Sequence, residues 1–320
     1  MPEHRINIEK PRYDQSTFIG RAKHFFLTTN PKNVFKSDKE LDEAKSIIDA
    51  YRSGDLLKNV SEDNLWEYKH TYDSAFHPDT GKKMILFGRM SFQVPANIVI
   101  TGCLMSFYKS TPSVVFWQWF NQTFNAVVNY TNNSGDTPIS VQRLATSYAL
   151  ATTGAVSTAI FINRQVHRFP SIFARLVPLV AVIAANCINI PCMRSNEIAD
   201  GINLTDADGN KLGNSRKAAA IGISQVVFSR IMMAAPSMLI PAYIMNKLEK
   251  KGTLKKLKGF GVPLQLFIVG TVLIFSTPLG CAIFPQQKSI AFDRLEESAQ
   301  DQIVAKVGYK PQEVYYNKGL

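Results

Sequence analysis

Polar and apolar positions divide the chain into three parts. Residues 1–89 alternate acidic and basic side chains, residues 90–285 carry long apolar runs with sparse charge, and residues 286–320 turn polar again. A bilayer core about 30 Å thick needs roughly 20 apolar residues in a helix. Five windows meet or approach that length: Met90–Tyr108, Val141–Asn163, Ile172–Met193, Gln225–Met245 and Val262–Phe284. The pattern predicts an all-α fold, a polytopic bundle of about five membrane helices, several broken by proline, with a small helical N-terminal region. Each run alone also fits a buried helix of a soluble protein, but five together would leave little surface for water. The first window is the weakest, being short and holding Gln93, Pro95 and Asn97.

Smaller signals place the other elements. Phe18, Ile19, Ala22, Phe25 and Phe26 recur at helical spacing among Arg21, Lys23 and His24. They predict a short amphipathic helix that either lies on a membrane surface or packs against the protein. Ser37-Asp38-Lys39-Glu40 is a capping box, and the helix it opens carries Leu41, Ala44, Ile47, Ile48 and Tyr51 on one face before Gly54 ends it. Ser61 starts a second helix, and His77–Gly81 follows as a turn. Phe116–Tyr130 mixes Trp117 and Trp119 with Gln118, Asn121, Gln122 and Asn125, and predicts an interfacial or re-entrant helix. Ser147, Ala151, Ala155 and Ala159 recur every fourth residue, a stripe that lets helices approach closely. Thr205–Gly213 reads as a hydrophilic turn, without the spacing or terminal glutamate of a calcium loop.

Charge adds an orientation. Taken alone, 320 residues, a net charge of +11 and a mean hydropathy of −0.05 would suit a basic soluble protein. Much of the excess sits in two loops, one with Arg164, His167 and Arg168, the other spanning Lys247–Lys258 with Glu249 as its lone acid. The positive-inside rule puts both on the inner side, so five crossings predict an inner N-terminus and an outer C-terminus. No aromatic platform accompanies the lysines, which argues against nucleic acid as a partner. The four cysteines lie in apolar segments without a CxxC pair and read as small core residues. No metal site or cofactor is expected; His70, Asp73 and His77 read as a helix end and turn rather than as ligands. No nucleophile elbow, zincin, P-loop or dinucleotide motif supports an enzyme. Glu3, Glu9 and Asp14 argue against a cleavable mitochondrial presequence.

Candidate chemistry lies where hydrogen-bonding groups and helix breakers interrupt apolar runs. On a helix, Asn186, Asn189, Met193 and Glu197 lie near one face, and Pro191 removes the bond that the Cys187 carbonyl would have accepted. Pro236 and Pro241 do the same on a helix that holds Arg230 and Ser237. Pro278 does so beside Ser276 and Thr277, and Asn97 marks the first span with Pro95. In hydrocarbon an unpaired polar group costs several kcal/mol, so such groups face protein or a water-filled cavity. Interrupted helices near the midplane are how many transporters hold small polar solutes. Amide oxygens and freed carbonyls suit an ammonium, and helix N-termini suit a carboxylate. Interhelical packing is the competing role for each proline and asparagine. Arg194 and Glu197 read as a gate pair or as ordinary interfacial ends.

These residues lie in stretches that carry a resemblance. "DQSTFIGRAKHFF", "YDSAFHPDTGKKMILFGRM", "FWQWFNQTFNAVVNYTN", "ATTGAVSTA", "AANCINIPCMR", "SRIMMAAPSM" and the terminal "YYNKGL" resemble the sideroflexins, most closely their mitochondrial serine-carrying branch. The resemblance covers nearly the whole chain. It implies a multi-pass protein of the mitochondrial inner membrane, imported without a cleaved presequence. It implies carriage of L-serine into the matrix for one-carbon metabolism, with alanine, cysteine or glycine as further candidates. The inner membrane then places the N-terminus in the matrix and the C-terminus in the intermembrane space. It supplies no settled substrate residues. The alternative function is an adaptor or assembly factor with membrane-protein partners, on the strength of the N-terminal region and the aromatic segment.

Overall fold

In a computed structural model, the structure describes residues 6–54, 60–77, 80–107, 109–132, 140–165, 171–256 and 259–319. Pro78 and Asp79 of the expected turn, and His167, Arg168 and Lys258 of the basic loops, lie outside the described residues. The fold is predominantly α-helical, as expected, with one small antiparallel sheet.

The N-terminal region holds α1 (Phe18–Thr28), α2 (Asp38–Ser53) and α3 (Glu62–Ala75). The capping box of α2 forms in full, and Gly54 ends the helix at φ +100°, where only glycine is free of strain. Leu41 and Ile48 of α2 pack on Leu65, Tyr72 and Ala75 of α3. Helix α1 both packs and faces outward. Ala22 and Phe25 are buried against Ala282, while Phe18 and Ile19 stay exposed.

The bundle is built from α4 (Gln93–Ser106), α5 (Thr111–Thr131), α6 (Val141–Gln165) and α7 (Ser171–Met193). After a short α8 (Ser195–Asp200) and a hairpin of β1 (Ile202–Thr205) and β2 (Lys211–Ser215) come α9 (Arg216–Lys250), α10 (Thr253–Lys256) and α11 (Gly261–Ala282). Among the described residues four helices, α6, α7, α9 and α11, are long and apolar enough to cross a membrane. The first expected span is a shorter apolar helix over Met90–Ser106. Its Pro95 sits in the opening turn of α4, where no helical N–H bond is lost.

The prolines do not divide the helices. Helix α9 runs unbroken for 35 residues through Pro236 and Pro241, α7 passes Pro178 and Pro191, and α11 passes Pro278. One missing N–H removes a single bond, and packing on both sides holds the helix through it. Small residues allow that packing. A side chain on Gly154 would fall 2.3 Å from Ile188, and one on Gly102 would fall 2.4 Å from Leu266. The stripe Ser147, Ala151, Ala155 and Ala159 is buried throughout. Of the cysteines, Cys103 is buried, Cys187 is exposed on the outside of α7, and the other two are half-buried.

The aromatic segment departs from the expected interfacial helix. It is α5, 21 residues long, and it runs the length of the bundle beside α7. Val114 near its start packs with Val177 and Ala181, and Asn129 near its end reaches Met193. Its Gln118, Asn121 and Gln122 are buried, whereas an interfacial helix would expose them.

This changes the topology. Helix α4 lies antiparallel to α11, with Ile98 on Gly270 and Met105 beside Gln265. The start of α4 therefore lies level with the end of α11. Arg21 of α1 donates to the Ala282 carbonyl at 2.8 Å at that same end. Helices α4, α5, α6, α7, α9 and α11 each run between the two ends, so the chain returns to the end from which it set out. The N- and C-terminal regions lie together there, not on opposite sides as five crossings implied. The basic segments share the other end, where Arg175 pairs with Glu249 at 2.5 Å.

The polar C-terminal residues fold. Strands β3 (Gln287–Ala291) and β4 (Glu313–Asn317), with α12 (Glu297–Val307) between them, join the hairpin of β1 and β2 in a sheet of order β2-β1-β4-β3. The Thr205–Gly213 turn closes that hairpin, with Asp206 accepting from the N–H groups of Asp208 and Asn210. Leu204, Leu212, Ile290, Ile303, Val314 and Tyr316 form a core between sheet and helix. Glu296 accepts from the Ser215 hydroxyl and the Arg216 N–H, so the C-terminal region caps the positive end of α9.

Candidate functional site

A cavity of about 80 Å³ lies between α5, α7 and α9 near the end that carries the termini. A single water needs about 10–15 Å³ on the same measure, so there is room for several waters or one small solute. Helix α7 contributes Asn186, Asn189, Ile190 and Met193, then Arg194 beyond its last turn. Helix α9 contributes Val226 and Arg230, and α5 contributes Asn125 and Asn129. The spacing on each helix is three or four residues, which aligns these side chains on one face.

The cavity wall is rich in unmet hydrogen bonds. Asn125, Asn186, Asn189 and Arg230 bond to no other group among the described residues. Asn129 has only a weak contact, 3.2 Å from its Nδ2 to the Met193 sulfur. Asn189 is buried, and Asn186 is half-buried. Arg194, by contrast, is held on three sides. Its Nε and Nη2 donate to the Glu197 carboxylate, and its Nη1 donates to the Lys318 carbonyl at 2.6 Å. Glu197 is thereby neutralised; among the described residues no carboxylate lines the cavity, and Arg230 lines it without an ion-pair partner.

The C-terminal residues reach the cavity through Arg194, which donates to the Lys318 carbonyl. Lys318 is 1% exposed, and its N–H donates to the Gln286 carbonyl. Its ammonium donates to the Gly319 carbonyl at 3.0 Å. Burial pushes the Lys318 ammonium down to about 8, and the nearby Arg194, Arg230 and Arg21 press in the same direction.

The candidates from sequence divide accordingly. Asn186, Asn189, Arg194 and Arg230 meet at the cavity. Glu197 stands just outside it on Arg194, and Pro191 lies in α7 between two lining residues. Asn97 donates to the Gln93 carbonyl of its own helix at 2.7 Å. Ser237 is buried and donates to the Ala234 carbonyl. Pro236 and Pro241 follow Arg230 along α9 without lining the cavity. Ser276, Thr277 and Pro278 sit on α11, away from it; the Ser276 hydroxyl is buried and has no partner among the described residues. Among the described residues no group of three His, Cys, Asp or Glu side chains is placed to hold a metal ion.

Sequence reasoning missed Asn125, Asn129 and Lys318. The first two had a usable signal, carboxamides at helical spacing inside an aromatic run. Lys318 had none, since only the folded sheet buries it.

A sequence model of the family described as Sideroflexins matches residues 7–320. The chain is similar to Sideroflexin-3 of Rattus norvegicus, 55% identical over 317 residues, and to Sideroflexin-1 of Homo sapiens, 54% identical over 315 residues. In both comparisons 98% of each chain is covered. No solved structure matches the chain.

Proposed function

The chain belongs to the sideroflexin family, and on that premise we propose that it is a carrier of the mitochondrial inner membrane that moves L-serine into the matrix. Alanine, cysteine and glycine fit the same chemistry, and one-carbon metabolism is the process supplied. The observation that carries this reading is the set of unpaired groups at the cavity. Three asparagines and one guanidinium face it with no partner among the described residues and with no carboxylate beside them. Buried Asn189 and half-buried Asn125, Asn186 and Arg230 leave polar groups turned to a small cavity without a protein partner among the described residues, which supports a ligand that completes them. A guanidinium receives a carboxylate, amide oxygens receive an ammonium, and either end of an amide receives a hydroxyl. Serine carries all three groups within a span that fits the space.

By the positive-inside rule the two basic segments face the matrix, which gives both terminal regions to the intermembrane space. The cavity then lies nearer the intermembrane-space side, the side from which serine enters.

Purified protein in liposomes tests the reading. Wild type takes up labelled L-serine, and Asn189→Leu loses that uptake while remaining folded. Normal uptake by Asn189→Leu removes the cavity from the pathway. Absence of uptake by wild type, with stable capture of another inner-membrane protein, replaces the carrier by an adaptor.

A further inference from the structure

The carboxamides of α5 continue beyond the cavity. Gln118, Asn121, Gln122, Asn125 and Asn129 fall at i, i+3, i+4, i+7 and i+11, one stripe of the helix. Only the last two border the cavity. Gln118, Asn121 and Gln122 are 0%, 6% and 3% exposed, and none of them bonds to another group among the described residues. For Gln118 both Oε1 and Nε2 are sealed from solvent and unpartnered.

The stripe has a direction. Asn129 lies at the end of the bundle that carries the termini, and Val114 packs near the start of α7. At 1.5 Å per residue, Gln118 stands about 10 Å deeper than Asn125. The neighbouring helices α6 and α7 bury small side chains. Helix α6 buries Ser147, Ala151 and Ala155, and α7 buries Ala181 and Ala185. The Ser147 hydroxyl is also without a partner. Small side chains leave room for a passage when helices shift by an ångström or two, and the Ser147 hydroxyl adds a further polar group.

A sealed amide that bonds to nothing is a loss in the state described. A chain tolerates it when another state of the same molecule hydrates it or a ligand pairs it. We propose that the α5 stripe is the route from the cavity toward the basic end, with Gln118 as a second station. There its amide binds the hydroxyl and charged ends of a small neutral amino acid once α5, α6 and α7 part. The inference rests on the carrier reading and specifies its path. That path follows the seam of α5 and α7, not the proline and serine groups of α9 and α11.

The test is Gln118→Met in the full chain, in liposomes and as purified protein. Labelled L-serine uptake is expected to fall about tenfold or more, while saturable serine binding stays within about threefold of wild type, since Asn125, Asn189 and Arg230 are untouched. Asn189→Leu loses both. A Gln118→Met protein that transports as wild type does overturns the second station and leaves the carrier reading standing. A wild type that neither binds nor transports serine overturns the carrier reading and this inference with it. Gln118→Cys, in a chain whose native cysteines are replaced by serine, supplies a readout free of folding loss. A small water-soluble methanethiosulfonate is expected to label it during turnover with serine and to leave it unlabelled without serine. A thiol that never reacts under turnover rules out a wet path at that depth.

Discussion

Replacing Gln118 by methionine is expected to make the protein more stable while it transports less. The side chain is fully buried, and neither amide atom has a partner among the described residues. A buried hydrogen-bonding group left unmade costs about 1–3 kcal/mol. Methionine follows the same unbranched path with nearly the same bulk, and swaps that conserve volume cost less than about 1.5 kcal/mol. The balance favours the variant by about 1–2 kcal/mol. At roughly 2–4 °C per kcal/mol for chains approaching this size, Tm rises by about 2–8 °C. Trp117 and Trp119 flank the position, so tryptophan fluorescence during heating in detergent reads the transition close by. Gln118→Ala is the control: it removes the same amide but leaves a void, and truncating a large buried side chain costs about 2–5 kcal/mol, so its Tm falls. A Tm for Gln118→Met below that of wild type would mean that the amide is satisfied, and the reasoning from unmet groups would fail there.

Four further outcomes are expected. Arg21→Met frees the N-terminal region from the bundle, because its guanidinium donates to the carbonyls of Ala282, Gln15 and Ser16. Bonds from a charged donor contribute about 1.5–3 kcal/mol each, so residues 6–77 become sensitive to limited proteolysis well before the bundle does. Lys318 titrates near 8 when folded and near 10.5 when unfolded, so the unfolded chain holds more protons between those values. Stability therefore climbs as pH rises from about 8 toward 10.5, and Lys318→Met flattens that climb in a Tm-against-pH series. His70 is pushed down to about 4 by burial, so stability falls as pH drops from 6.5 toward 4, and His70→Phe removes that fall. Finally, tags at the two termini are cleaved together or protected together when a protease is added to one face of sealed vesicles that hold the protein in a single orientation; cleavage of one alone contradicts the even number of traverses.

Local chemistry made much of this legible. The capping box Ser37–Glu40, the glycine at 54 and the small-residue stripe of α6 rest on neighbours three or four residues apart, and they form as read. Asn186 and Asn189 stood out because amides in an apolar run have few places to go. Asn125 and Asn129 were as visible by spacing, but the surrounding tryptophans pointed to an interface, and aromatic rings serve a helix–helix seam equally well. The prolines misled because sequence shows the lost bond and not the packing that carries the helix past it. The sheet was illegible for a different reason. Its strands are four or five residues long, and Thr205 pairs with Tyr315 across more than a hundred positions that bear no local trace of the partnership. The sidedness followed from one helix: once α5 runs the length of the bundle, the parity of the whole chain changes.

The sheet also bears on how the molecule is assembled. Strand β4 follows all the bundle helices along the chain, yet it takes an inner place, between β1 from the stretch before α9 and β3 from the stretch after α11. It cannot dock until α9 and α11 have both been threaded and have returned their ends to the same side. Pairing of β4 thus couples the segment before α9 to the segment after α11. Where the segment after α11 is undocked, β1 keeps a bare edge and the start of α9 lacks its Glu296 cap.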